Sequence, residues 1–527
     1  MTQNPKSTEA KPALTIACLL VLVTYGLMID LKGIWTDEGI RLAIINGAMP
    51  FTLQAPTHSP TWGMVLQTGA PYAYQPLYYL MQNTLMRVAQ SHNVIFFRLV
   101  NIFFLWVSLQ GLISLSKGWR TAPQLFLIGL FSFNAYLIMH VLQIREYIVG
   151  VAFYIWSTWL VLQLDTRTLG RAWADVAWFT AYGILLTIGF YLQSWVVFPV
   201  IGQGLFLLWR RRGDQLRFYA HLALSYMIVL STTWPYLQSH QQRANVGRWG
   251  AEGTSLWPLL SDGFHLVLTG HSTGHSPFTE FLFLFWIAVL AGTAWLLFIP
   301  KSSALPVTAR EEFKRHGVLM ILCSGVSLMF QVGYFFKVES LSVWPRYFVI
   351  HYFFLIWFIA LGFKHLDDLR SASIASVWPR RGLTMTVAAI AIVSMVSAVF
   401  QIRSYYKAPL LDTGLSQTSN WRTVSTELAR TIRPDDTVVV HDFIIRATLT
   451  FTRPIPNPVI MLQDMEINAL QSVKRIIYLE SSGSVSEREN IITRMSTLGF
   501  KSMQAVKIHS PDGSAILPEW QFLIFPR

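Results

Sequence analysis

About eleven long apolar runs, separated by short basic segments, constrain this 527-residue chain more than any other feature. They occupy residues 13–28, 94–115, 124–142, 148–164, 176–191, 194–209, 222–237, 278–299, 318–336, 347–363 and 383–400. Hydrocarbon offers no water to a backbone amide, so such a run crosses a bilayer only as a helix that satisfies its own hydrogen bonds. The predicted class is a polytopic α-helical membrane protein. Composition agrees: 53% of residues are hydrophobic, 13% are charged and the mean hydropathy is +0.42, which sets the chain apart from soluble domains.

A net charge of +13 would suit a nucleic-acid partner if the basic residues gathered on one domain. They alternate with the apolar runs instead. Lys6 and Lys11, Lys117 and Arg120, Arg167 and Arg171, Arg210 to Arg212 with Arg217, Lys301 to Arg315, and Lys364 to Arg381 fall on one side when the N-terminus is cytoplasmic. Lysine and arginine favour inner loops, so the charge is a topology signal and no nucleic-acid partner is implied. The first run lacks a small-residue cleavage pattern and reads as a retained helix. Cys18 and Cys323 lie inside apolar runs, where a thiol is a small hydrophobe, so neither a disulfide framework nor a thiol metal site follows.

Three outward segments are too long to be simple connections: about 33–93, about 238–277, and everything after Phe400. In the first, residues 72–89 include PLYYLMQNTLMRVA, whose apolar residues recur at helical spacing, as for a helix lying in the outer interface. The second holds RANVGRWGAEG, Trp257, Asp262, His265, His271 and His275. Its glycines, prolines and tryptophans show no clear period, so it reads as an irregular lid; His271 and His275 have a spacing that could bind a metal on a helix, but Gly270 and Gly274 weaken one there, and the two read as solvated loop histidines. The third alternates helix and strand: NWRTVSTELARTI, DTVVVHD, KRIIYLE, SERENIITRMSTLGF and WQFLIF. The expected organisation is a membrane part over 1–405 and an extracytoplasmic α/β domain over 406–527, without a GxGxxG or Walker phosphate loop.

Polar residues at the outer ends of the spans carry the chemical signal. Asp37 and Glu38 stand side by side in WTDEG after the first run, Arg145 and Tyr147 lie in QIREY, and Arg346 and Tyr347 lie in WPRYF, shortly after Lys337 and Glu339. Carboxylates near hydrocarbon are costly to keep charged, which favours a chemical role for the first pair over simple anchoring. Arginine meets phosphate oxygens through a rigid fork of donors, and a carboxylate can accept the proton of an attacking hydroxyl. Base and clamp together describe transfer of a group from a phosphorylated lipid. Arginines that only snorkel to head groups, or pair with Glu146 and Glu339, are the plain alternative.

WTDEG, AYQPLYYLMQ, FFRLVN, NAYLIMHVLQIREYIVG, WPRYFVIHYF and NWRTVSTEL, in that order, make the chain similar to the polyprenol-dependent GT-C glycosyltransferases. The likeness is to the bacterial branch that includes protein O-mannosyltransferase relatives, lipid A aminoarabinose transferase and lipopolysaccharide-core transferases. The resemblance implies a sugar donor on a polyprenyl phosphate, inversion at the anomeric carbon, and an acceptor among lipopolysaccharide, other glycans, lipids or proteins. It places the protein in the inner membrane, with its site and C-terminal domain facing outward. By the same resemblance Asp37 matches the base and Glu38 the acid beside it, while Arg145 with Tyr147 and Arg346 with Tyr347 match its two arginine-tyrosine motifs; these four, with Lys337 just before the second motif, are expected to bind the donor phosphate. Tyr74, Gln75 and Pro76 stand where relatives commonly have two prolines, sometimes after a lysine. No cofactor is implied, and two adjacent acids without a third ligand make a weak site for a hard cation. A secondary transporter, a membrane-anchored binding protein and an O-antigen polymerase or ligase are the competing readings; the early acidic pair suits them less well.

Overall fold

The computed structural model describes residues 7–29, 36–46, 61–69, 75–91, 93–167, 172–211, 216–244, 255–271, 276–298, 307–338, 345–372, 382, 385–398, 421–440, 446, 449, 457–461, 473–481, 485–500, 503–509 and 516–527. The helical part runs α1 (Ser7–Met28), α2 (Thr36–Ile45), α3 (Trp62–Gly69), α4 (Pro76–Ala89), α5 (Val94–Leu115), α6 (Thr121–Ser132), α7 (Ala135–Val141), α8 (Tyr147–Thr166) and α9 (Ala172–Leu192). It continues with α10 (Val197–Arg210), α11 (Leu216–Ala244), α12 (Leu256–Thr269), α13 (Pro277–Phe298), α14 (Val307–Val338), α15 (Val349–Ala372) and α16 (Met385–Ala398). Among the described residues, six helices are long and apolar enough to cross a membrane, or seven when the bent pair α6–α7 counts as one span. Every one of the eleven apolar runs contains helix; α1, α10 and α16 are the shorter apolar ones.

Burial separates centre from periphery. α8 and α15 are enclosed by other helices, whereas α13 turns Phe281, Leu284, Trp295 and Phe298 outward, as a helix facing hydrocarbon does. Close helix contact depends on small residues. A Cβ on Gly202 of α10 would lie 2.7 Å from the Cys323 Cα on α14, so these two backbones meet at van der Waals distance.

Two expectations need correction. The run 124–142 is not one straight helix: it bends by 64° between α6 and α7. Asn134 causes the break by capping α7, accepting from the Tyr136 amide at 2.8 Å while its own amide donates to the Val267 carbonyl at 2.9 Å. The segment 238–277 is not irregular throughout, because α11 extends to Ala244 and α12 is a regular helix. Leu256, Leu259, Leu260, Phe264 and Val267 recur at helical spacing against the core, and Gly270 at φ 80° ends the helix. The helix expected within 72–89 is α4, which begins on Pro76 and buries Tyr78, Tyr79, Gln82, Asn83 and Met86 on one face.

After the helices come α17 (Trp421–Thr431), β1 (Asp436–Val440), β2 (Val459–Met461), β3 (Arg475–Ser481), α18 (Val485–Thr497), β4 (Gln504–His509) and β5 (Ile516–Pro526). The sheet order is β2-β1-β3-β5-β4, parallel across its first three strands and antiparallel at β5 and β4. One face carries Val438, Val440, Ile477 and Leu479 against Val424 and Leu428 of α17. The other carries Val439, Ile476 and Tyr478 against Ile491 and Met495 of α18. The period-2 alternation of these strands thus gives each face its own apolar layer. Asp436 and Arg475 close the start of the sheet, with Arg475 Nε 2.8 Å from Asp436 Oδ1. The boundary expected near 405 lies outside the described residues.

Candidate active site

Glu38 sits in the first turn of α2 and is 1% exposed. Arg98, in the second turn of α5, shares one guanidinium nitrogen between its two oxygens at 3.3 and 3.1 Å. The Ile144 amide N–H donates to Glu38 Oε1 at 2.8 Å, and a second Arg98 nitrogen donates to the Ile29 carbonyl at 3.0 Å. A buried carboxylate needs such partners, for each charge here would be costly without the other. The outcome is mechanical as well: α1, α2, α5 and the stretch between α7 and α8 are fastened at one point.

That stretch carries Arg145. The chain turns sharply there, with the Arg145 amide donating to the Gln143 carbonyl at 2.8 Å. Arg145 is 2% exposed and donates to the Tyr147 hydroxyl at 2.8 Å, its guanidinium lying 5.4 Å from the ring centre. An arginine that merely snorkels keeps its head in water or among head groups. Arg145 is instead held inside the protein, so the arginine and tyrosine of QIREY form one unit.

α4 joins this region through further hydrogen bonds. Asn101 of α5 donates to the Gln143 carbonyl and accepts from the Tyr78 hydroxyl at 3.2 Å, which in turn accepts from Gln82 at 3.0 Å. Asn83 donates to the Ile45 carbonyl at 2.8 Å, tying α4 to the end of α2. Arg41 of α2 donates to the Tyr79 hydroxyl, which donates to Glu146 Oε2 at 3.4 Å. A continuous polar network therefore runs from α2 through α4 and α5 to residues 143–147.

The second arginine-tyrosine pair lies on a 3-10 turn, Pro345–Phe348, that leads into α15. The Tyr347 ring packs on Trp195, with centres 5.5 Å apart. Two residues before Trp195, Gln193 is pressed against Gly150 of α8 and accepts from the Tyr154 hydroxyl at 3.4 Å. A further path passes through rings: Tyr147 to His140 at 4.5 Å, His140 to Tyr136 at 4.5 Å, and Tyr136 to Tyr352 of α15 at 6.1 Å. Glu38 is thus tied to the stretch of chain that carries Arg145 and Tyr147, and Tyr347 packs on Trp195. Of Asp37, Lys337 and Arg346 only the backbone is described; Tyr74, His275 and Glu339 lie outside the described residues.

Arg98, Arg41, Tyr79, Glu146 and Asn101 were not singled out from sequence as site residues. Arg98 had a signal, for an arginine in the apolar stretch FFRLVN demands a buried partner. Arg41 lies one turn after Asp37, but nothing in the order of residues reveals that Tyr79 and Glu146 wait for it. Among the described residues no group of three His, Cys, Asp or Glu side chains converges to hold a metal ion.

No family model matches the chain, and no curated protein matches it in sequence. Solved structures do. The structure of ArnT from Cupriavidus metallidurans bound to undecaprenyl phosphate matches with a TM-score of 0.54 at 12% identity, covering 97% of this chain and 98% of that one. ArnT in the apo state matches at 0.51 and 10% identity, with 98% of each chain covered. The apo Archaeoglobus fulgidus oligosaccharyltransferase gives 0.46 at 11% identity, over 95% of this chain and 74% of that one. Overlap with ArnT along nearly the whole of both chains shows a shared fold, which in this chain is a set of long apolar helices followed by a small C-terminal sheet.

Proposed function

We propose that this chain is an inverting GT-C glycosyltransferase that moves a sugar from a polyprenyl-phosphate donor to an envelope acceptor on the outer face of the cytoplasmic membrane. The observation that carries this reading is the buried Glu38–Arg98 pair with its Ile144 contact, which sets the first turn of α2 beside the Arg145–Tyr147 unit. Asp37 is the neighbour of Glu38 in that turn. The positive end of a helix dipole favours an ionised carboxylate there, as a general base requires. That the ArnT structure of the same fold holds undecaprenyl phosphate supports a polyprenyl-phosphate donor.

In the proposed reaction the acceptor hydroxyl attacks the anomeric carbon from the face opposite the phosphate. Asp37 takes the hydroxyl proton as the new glycosidic bond forms. The bond from carbon to phosphate oxygen breaks, and its electron pair leaves with the polyprenyl phosphate. Arg145, with Lys337, Arg346 and Tyr347 at the second cluster, balances the charge that grows on the departing phosphate. Glu38 is already engaged by Arg98, so its part is to position α2.

A secondary transporter would place ionisable side chains at a broken helix near the bilayer midplane. The break between α6 and α7 does occur, but the polar group there is Asn134, and it is spent on the α7 amide and the Val267 carbonyl. The test is genetic and chemical. Mass spectrometry of envelope lipids, glycans and glycoproteins from a strain lacking the gene should show one species short of a single sugar, restored by the wild-type gene. An unchanged envelope together with altered uptake of a solute would favour transport.

A further inference from the structure

Below Tyr347 runs a chain of hydrogen bonds whose direction can be read from its end. The Tyr347 carbonyl can only accept, and Gln331 Nε2 of α14 donates to it at 3.4 Å. Gln331 must then present its carbonyl oxygen to His351 of α15, whose Nε2 lies 2.8 Å away, so Nε2 carries the proton. Nδ1 of the same ring is left as an acceptor for the Ser324 hydroxyl at 3.0 Å. His351 and Gln331 are fully buried, and His351 is flanked by the rings of Phe348 and Phe264 at 5.4 and 6.2 Å. Gly263 of α12 presses on the same turn, for a Cβ there would lie 2.5 Å from the Phe348 ring.

From this we infer that Ser324, His351 and Gln331 form a positioning relay that fixes the 3-10 turn Pro345–Phe348 and with it the backbone that presents Arg346 and Tyr347. The relay touches neither reacting atom. It anchors the turn to α14 and so sets the place of the second phosphate-binding pair; this role rests on the donor assignment above. A fixed turn binds its ligand without first being ordered, and that ordering cost falls on affinity.

The test uses Gln331→Met, which keeps length and removes both polar groups, and Ser324→Ala as a milder variant. Amide hydrogen exchange of residues 345–350 in the full-length protein, without donor, reads the turn itself. Exchange there should rise in both variants, while exchange in α8 stays as in the wild type. In transfer assays, Gln331→Met should raise the Michaelis constant for polyprenyl-phosphate sugar by about threefold to tenfold, with turnover at saturation little changed. In an Arg346→Ala background the same substitution should add almost nothing, since both changes remove one function; an independent packing defect would add in full. Unchanged exchange at 345–350 in both variants overturns the relay whatever the donor is. Raised exchange with an unchanged Michaelis constant, or full additivity with Arg346→Ala, overturns its role in donor binding. Wild-type protein that ignores polyprenyl phosphate would refute the proposed function, and amide exchange would still decide the relay.

Discussion

Asp37 and Glu38 are chemically alike and adjacent, yet the proposed reaction gives them different duties. Glu38 is enclosed with Arg98 and the Ile144 amide, so a change there acts first on stability. Glu38→Gln and Arg98→Met should each cost about 3–5 kcal/mol, because one buried charge loses its partner, and the double variant should recover most of that loss. Thermal unfolding in detergent measures all three; strict additivity of the two losses would mean the pair is not coupled. Asp37→Asn should instead leave unfolding unchanged and lower transfer by a factor of about 100 to 10,000, the usual cost of a missing general base. Arg145→Lys keeps the charge but not the planar fork, so the Michaelis constant for donor should rise, and Arg145→Ala should be worse. Donor dependence equal to the wild type in both Arg145 variants would remove that residue from the phosphate site.

At the scale of elements, close helix contact is the most exposed to mutation. Gly202→Val must drive α10 away from the α14 backbone, a strain of about 1–3 kcal/mol that should lower the unfolding temperature in detergent. Helix α12 answers to pH. His265 is buried against the Phe283 ring, and its Nε2 lies 3.3 Å from Glu280. Burial lowers its pKa from the ordinary 6.5, with Glu280 and Asp262 pulling the other way. A histidine whose folded pKa is depressed contributes stability that is complete above 6.5 and is lost as the pH falls below it. Protection of α12 amides from exchange should accordingly weaken on acidification, and His265→Gln should flatten that response; an equal response in both proteins would assign it elsewhere.

Elements that announce themselves locally were legible in the sequence. Continuous apolar runs disclosed helix positions, and RIIYLE and QFLIF disclosed strands β3 and β5, because each pattern is a local property. β2 was missed: Val459 to Met461 is a three-residue strand recognisable only by its pairing with β1. β4 was missed because it is an edge strand whose partner, β5, follows it in the chain. The bend at Asn134 escaped for a related reason, since the asparagine becomes a cap only where the Val267 carbonyl takes its amide. In the site, QIREY pointed to Arg145 and Tyr147, while the route from Arg41 through Tyr79 to Glu146 joins three distant segments and has no local signature.

For the whole molecule, the basic segments predict a cytoplasmic N-terminus and an outer C-terminal domain. Reporter fusions after Arg212 and after Arg527 should report opposite sides; matching orientations would refute the threading. The sheet has a separate apolar layer on each face, the arrangement expected of a separately folding unit. A protein ending at Tyr406 is therefore expected to insert and bind donor but to transfer poorly to its natural acceptor. Full activity would make the sheet dispensable, and loss of donor binding from a well-folded truncation would assign it to the donor site.

Sugar transfer from polyprenyl phosphate is measured most directly with the purified protein in nanodiscs, supplied with a labelled sugar on polyprenyl phosphate and an envelope extract as acceptor, with Asp37→Asn run beside the wild type. The product should be glycosylated with inverted anomeric configuration and polyprenyl phosphate released in equal amount, and both should be lost with Asp37→Asn while donor binding persists. Product of retained configuration, or transfer by Asp37→Asn at the wild-type rate, would contradict the proposed reaction.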